Sequence, residues 1–119
     1  MLNIKKPIPG FESYSKAVFK QIDENFAILG LGDVLFILIN PFSLTKEYSF
    51  EVPSDVKVLL GIDEKNPPLV YCNLIKKEPF NESLVNFKAP ILINPKNNTL
   101  AQVILDNYSL MPIKEFIKE

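Results

Sequence analysis

Hydrophobic residues come in short bursts along this chain, each closed by proline, glycine, asparagine or a pair of charges. Almost none of these bursts keeps a helical period for more than two turns, so the pattern predicts a mainly β protein. The predicted strands cover residues 3–4 as an edge, 17–22, 26–29, 34–39, 48–52, 69–76, 84–87, 91–93 and 100–105. Two of them, 91–93 and 100–105, flank the polar link Pro95-Lys96-Asn97-Asn98-Thr99 and predict a hairpin with a several-residue loop. The run Leu35-Phe36-Ile37-Leu38-Ile39 has no polar face. Such a strand is either covered on both sides or leaves its second face for a partner.

Two short helices are predicted. One follows Pro53-Ser54, with Ser54 as cap, a turn over residues 55–60 and Gly61 as a left-handed stop. The other covers residues 112–118, with Pro112 at a position that needs no donor and Ile113, Phe116 and Ile117 on one stripe. Neither is long enough to stand alone in water. At 119 residues and 47% hydrophobic, the chain supports one core, and residues 1–119 are expected to form a single domain.

Composition narrows the chemistry. There is no histidine, which removes imidazole acid–base catalysis and histidine metal sites. All thirteen cations are lysine. Without guanidinium groups the chain lacks the usual means of bidentate phosphate and guanine recognition, which argues against direct nucleic-acid binding. Cys72 lies in the apolar run 69–75 and reads as a buried thiol. No apolar run reaches the roughly 18 residues of a membrane span and the N-terminus shows no secretory signal pattern, so a cytoplasmic protein is expected.

Candidate catalytic groups are sparse. The fourteen carboxylates are scattered, and most fall in loops or at strand ends. A pair brought together by the fold would be needed for acid–base hydrolysis. Gly30-Leu31-Gly32 has no third glycine at dinucleotide spacing and no lysine–hydroxyl pair after it, so it reads as a turn between strands. No cofactor, metal or catalytic residue is expected.

One ordered series of motifs goes further. Pro9-Gly10-Phe11-Glu12, then Asn40-Pro41-Phe42, then Lys46-Glu47-Tyr48-Ser49-Phe50-Glu51-Val52-Pro53, then Val85-Asn86-Phe87 with Ala89-Pro90, and finally Asn94 and Gln102 with Leu105 resemble, in order, the FliW family of flagellar assembly factors. The chain departs from the family pattern at Leu29-Gly30-Leu31-Gly32, where the loop is shortened, at Leu84, at Lys46-Glu47 and at Met111. The resemblance implies a small, distorted β-barrel that acts by protein binding. Its implied partners are the RNA-binding translational regulator CsrA, whose repression of flagellin mRNA it would relieve allosterically, and flagellin itself as competitor. The free protein is expected to be a monomer.

An antagonist of a basic protein benefits from an acidic, partly apolar face. The candidates are Phe42, Glu47 and Tyr48 from the central segment, with Asn86 and Gln102 from the C-terminal part. Phe42 and Tyr48 also suit core packing, and Asn86 and Gln102 also suit backbone capping. Two other functions stay open at this point. A small barrel could bind a small ligand in its interior, with Tyr14, Tyr48, Tyr71 and Tyr108 as polar handles, and two carboxylates in one cleft could act as a hydrolase.

Overall fold

The computed structural model describes residues 1–117. Among these residues nine strands form: β1 (Leu2–Ile4), β2 (Lys16–Gln21), β3 (Phe26–Leu31), β4 (Val34–Ile39), β5 (Leu69–Ile75), β6 (Leu84–Asn86), β7 (Ile91–Asn94), β8 (Thr99–Gln102) and β9 (Leu110–Pro112), with one α-helix, α1 (Ser54–Leu60). Seven of the strands close a ring in the order β4–β3–β2–β1–β8–β7–β5, and β5 returns to pair with β4. The architecture is a mainly β, distorted barrel, as the resemblance implied.

Strand alternation divides the apolar residues between two cores. One face of each strand fills the barrel: Ala27, Leu29 and Leu31 of β3, Leu38 of β4, Tyr71 of β5, Ile91 and Ile93 of β7 and Leu100 of β8. The other face of β5, β7 and β8 carries Cys72, Leu74, Leu92 and Ala101, and these pack under a second layer containing Tyr48, Val56, Leu60 and Ile113. Val56 and Leu60 are one helical turn apart, so α1 buries a single stripe. The outer face of β2–β4 has no such cover. Val18 and Leu35 flank Gly30 in one cross-strand row, and Leu35 is 71% exposed, whereas Ile39 at the other end of β4 is buried.

Several expectations are corrected. The first strand is not an edge: β1 lies between β2 and β8, and its parallel pairing with β8 closes the ring. Residues 48–52 form no strand, because Tyr48 turns into the second core. The predicted strand 84–87 ends at Asn86, where a bulge begins. Leu74 pairs with Val85 but Tyr71 pairs with Ile91, so three steps along β5 match six along its neighbour. Three residues are therefore looped out between β6 and β7. Opposite the bulge, the Val103 N–H donates to the Pro90 carbonyl (3.0 Å) and the Leu105 N–H to the Lys88 carbonyl (2.7 Å), so the chain after β8 still follows its neighbour.

Ser54 does not cap α1. Pro53 holds the cap position with no side-chain bond, while Gly61 stops the helix in the left-handed region at φ 68°, as predicted. The last carbonyls are held by the β7–β8 hairpin: Asn94 Nδ2 and Asn97 Nδ2 donate to Leu60 O at 2.7 and 2.9 Å. The predicted C-terminal helix is instead β9 followed by a single 3-10 turn, Ile113–Glu115, and Lys118 lies outside the described residues. Gly32, not the whole Gly30–Gly32 segment, makes the β3–β4 turn, with φ 59° and the Tyr14 ring packed against it.

Candidate partner-binding surface

The five candidate residues fall into two groups separated by the wall of the barrel. Phe42, Glu47 and Tyr48 cluster on the outside, on the chain between β4 and α1. Phe42 sits in a 3-10 turn, Pro41–Ser43, whose N-terminus is capped by Asn40: the Phe42 N–H donates to Asn40 Oδ1 at 3.0 Å. Phe42 is 49% exposed, and its ring centroid is 6.0 Å from that of Tyr48. Glu47 is exposed, its N–H bonded to Thr45 Oγ1 at 3.1 Å.

Tyr48 is buried at 3% exposure. Its ring meets Phe87 and Tyr108 edge to face at 5.0 and 4.7 Å, and its hydroxyl donates to the Phe87 carbonyl at 2.8 Å. That bond ties the segment after β4 to the bulge after β6. Burial, then the neighbouring Cys72 and Tyr108, pushes the Tyr48 phenol far above its ordinary range. Burial likewise raises the Cys72 thiol to about 12, against a smaller opposing effect of its contact with Tyr48. Both groups are neutral near pH 7, and Cys72 is an inert core residue.

Glu47 and Tyr48 line a cleft of about 230 Å3 together with Thr45, Phe87, Tyr108, Met111 and Phe116. Tyr108, which the motif series did not single out, closes its side. The Tyr108 hydroxyl donates to Ser49 O at 3.0 Å and accepts from the Ser49 N–H at 3.1 Å, fixing the segment in an irregular course. A few residues on, the same segment enters a larger cleft, about 450 Å3. Its apolar floor is Phe50, Val52, Ile62 and Pro68, and its rim carries Glu51, Asp63 and Glu64 against Lys57. This is the cleft that gathers carboxylates. One of them, Asp63, already accepts the Lys65 and Asn66 N–H groups at 2.9 and 2.8 Å in a turn. Among the described residues no cluster of three or more metal-ligating side chains forms, and no helix is long and apolar enough to cross a membrane.

Asn86 and Gln102 come together at one mouth of the barrel. Asn86 Oδ1 accepts the Lys88 and Ala89 N–H groups at 3.1 and 3.2 Å, which shapes the bulge, and Gln102 Nε2 donates to the Ala89 carbonyl at 3.1 Å. Both side chains line a cleft of about 260 Å3. Asn73 on β5 joins them there, together with Phe11 and Phe36, whose rings meet edge to face at 5.2 Å. A lone Asn inside the apolar run 69–75 was the sequence signal for Asn73. The outer and inner groups do not touch directly. They share the bulge: Phe87 faces the outer cleft and Asn86 the barrel mouth.

Comparison with known proteins agrees with this geometry. The family model described as FliW protein matches residues 1–117. The flagellar assembly factor FliW of Campylobacter lari is 38% identical, over 99% of this chain and 97% of that protein. Flagellar assembly factor FliW 1 of Wolinella succinogenes is 34% identical, over 98% of this chain and 97% of that protein. A crystal structure of the flagellar assembly factor FliW superposes with a TM-score of 0.85 at 27% identity, covering 99% of this chain and 86% of that one. Matched along nearly its whole length in both sequence and fold, the chain belongs to the FliW family of flagellar assembly factors.

Proposed function

We propose that this chain acts in the cytoplasm by binding two proteins in turn, the translational regulator CsrA and flagellin, and that binding CsrA relieves repression of flagellin mRNA. Family membership supports a role in flagellar assembly. The observation that carries the finer reading is the segment from Thr45 to Val52. It places Glu47 and Glu51 beside two clefts floored by Tyr48, Phe87, Phe50 and Val52. A basic RNA-binding protein meets there opposite charge at the rim, which steers encounter, and aromatic surface in the centre, which slows dissociation. The protein needs no reactive group for this. Its work is a difference in affinity between two states of the partner.

Titration calorimetry against the CsrA of the same genome, at two salt concentrations and then with flagellin as competitor, tests the reading. Binding that weakens with salt and is reversed by flagellin is expected, because rim charges are screened over a Debye length of about 8 Å at physiological ionic strength. Absence of heat with both partners at micromolar concentration would sink it.

A further inference from the structure

The barrel mouth differs chemically from the two outer clefts. Among the described residues twelve line it, and none of them is charged. Its floor is apolar and buried, made by Leu29, Leu31 and Ile91, with Phe36 at the side and Ile104 exposed at the rim. Three carboxamides line the mouth: Asn73 and Asn86 on the neighbouring strands β5 and β6, and Gln102 on β8. Their bonding leaves a defined set of free groups. Asn86 spends its oxygen on the bulge, so its NH2 is free to donate, and Gln102 spends its NH2 on Ala89, so its oxygen is free to accept. Among the described residues Asn73 has no hydrogen-bond partner for either end.

Each class of occupant meets this set differently. A charged group would lose hydration with no counter-charge among the described lining residues, which disfavours it. A bare hydrocarbon would displace water from the amides and leave them unmet. A peptide carrying one large apolar side chain satisfies both halves, since its N–H and C=O match a free acceptor and a free donor while the side chain covers the floor. The cleft is also smaller than the roughly 300 Å3 at which sites for drug-sized molecules begin, a size suited to one residue rather than a cofactor. The ring itself is closed, so it offers no strand edge, and a peptide would have to be held by side chains.

We propose that the mouth framed by Asn73, Asn86 and Gln102 is a docking site for an uncharged peptide segment of a partner protein, one that buries a single Leu-, Ile- or Phe-sized side chain in the barrel. This deepens the partner-binding reading of Asn86 and Gln102. Its test uses neither CsrA nor flagellin, so the two proposals fail separately.

The test is an NMR titration of the full 15N-labelled chain with N-acetyl-leucine methylamide, N-acetyl-glutamate methylamide, free leucine and adenine. The leucine diamide is expected to move the side-chain amide signals of Asn73, Asn86 and Gln102 saturably, with Kd on the order of 1 mM, an ordinary efficiency for a ligand of its size. The other three compounds should bind at least about tenfold more weakly, the margin that 1.4 kcal/mol confers. Ile104→Trp, at an exposed rim position, should block the mouth and weaken binding by a similar factor while the rest of the spectrum stays in place. A second variant, Asn73→Leu, should weaken the leucine diamide by removing its hydrogen-bond partner. No saturable shift up to about 50 mM, far above that Kd, would overturn the proposal. So would shifts spread over the surface, or binding of adenine or free leucine as tight as that of the diamide, which would mark a small-molecule site.

Discussion

Replacing Tyr48 by phenylalanine removes one oxygen and keeps the ring against Phe87 and Tyr108. The oxygen is the donor to the Phe87 carbonyl at 2.8 Å, in a place where Tyr48 and Phe87 are 3% and 2% exposed. At that burial the carbonyl is left without its partner, at a cost of about 1–3 kcal/mol. For a chain of 119 residues the unfolding entropy near 60 °C is about 250 cal/mol/K, so each kcal/mol lowers Tm by about 4 °C. Tyr48→Phe should therefore melt about 4–12 °C below the parent at pH 7, read by circular dichroism or calorimetry. Tyr108→Phe is the contrast. It also loses bonds, the pair to Ser49, but at a partly exposed residue where water can serve the Ser49 backbone, and should lose only about 0.5–1 kcal/mol. Equal shifts for the two variants, or a Tyr48→Phe melt within about 1 °C of the parent, would show that burial of the Phe87 carbonyl does not control the bulge.

Other perturbations have equally definite outcomes. Asn94→Leu removes a fully buried donor to the end of α1 and should lower stability by about 2–3 kcal/mol by urea unfolding, with Asn97 Nδ2 retaining part of the contact to Leu60. Gly32→Ala forces a Cβ into the left-handed region and to 2.7 Å from the Tyr14 ring, for a loss of about 1–2 kcal/mol in the same assay. Stability should be level through neutral pH and fall in alkali. Cys72 releases its proton near 9.0 when unfolded but only at about 12 when folded. Between those values the unfolded chain binds fewer protons, and the free energy of unfolding declines with pH by up to about 1.4 kcal/mol per unit. Cys72→Ala should flatten the part of that decline between pH 9 and 10; in that range a slope equal to the parent's would rule out the thiol as its source. Glu82→Gln, by contrast, breaks the Lys114 pair at the surface and should change stability by no more than about 0.5 kcal/mol.

Much of the fold was legible in the residues because strand alternation and turn chemistry are local. The apolar bursts place most of the strands to within a residue or two, Gly61 ends α1 where expected, the predicted 95–99 link is one residue longer than the loop because Thr99 opens β8, and the lack of histidine and arginine bounds the chemistry from composition alone. The candidate site was legible only in part. The motif series picked out Asn86, Gln102, Tyr48 and their neighbours, but their grouping into an outer surface and a barrel mouth depends on which face of each strand looks inward.

The chain by itself thus determined where extended segments begin and end, and which kinds of side chain were available for function. The tertiary structure alone decided that β1 pairs in parallel with β8 and closes the ring. It also decided that three looped-out residues separate β6 from β7 along β5, that Tyr48 turns inward, and that Asn73 joins Asn86 and Gln102. The physical reason is one of range. A period of two and a glycine at positive φ are settled within a few residues, whereas choosing a strand's neighbours and its buried face takes apolar burial and ladder hydrogen bonds between residues nearly a hundred positions apart, as for Asn3 and Thr99.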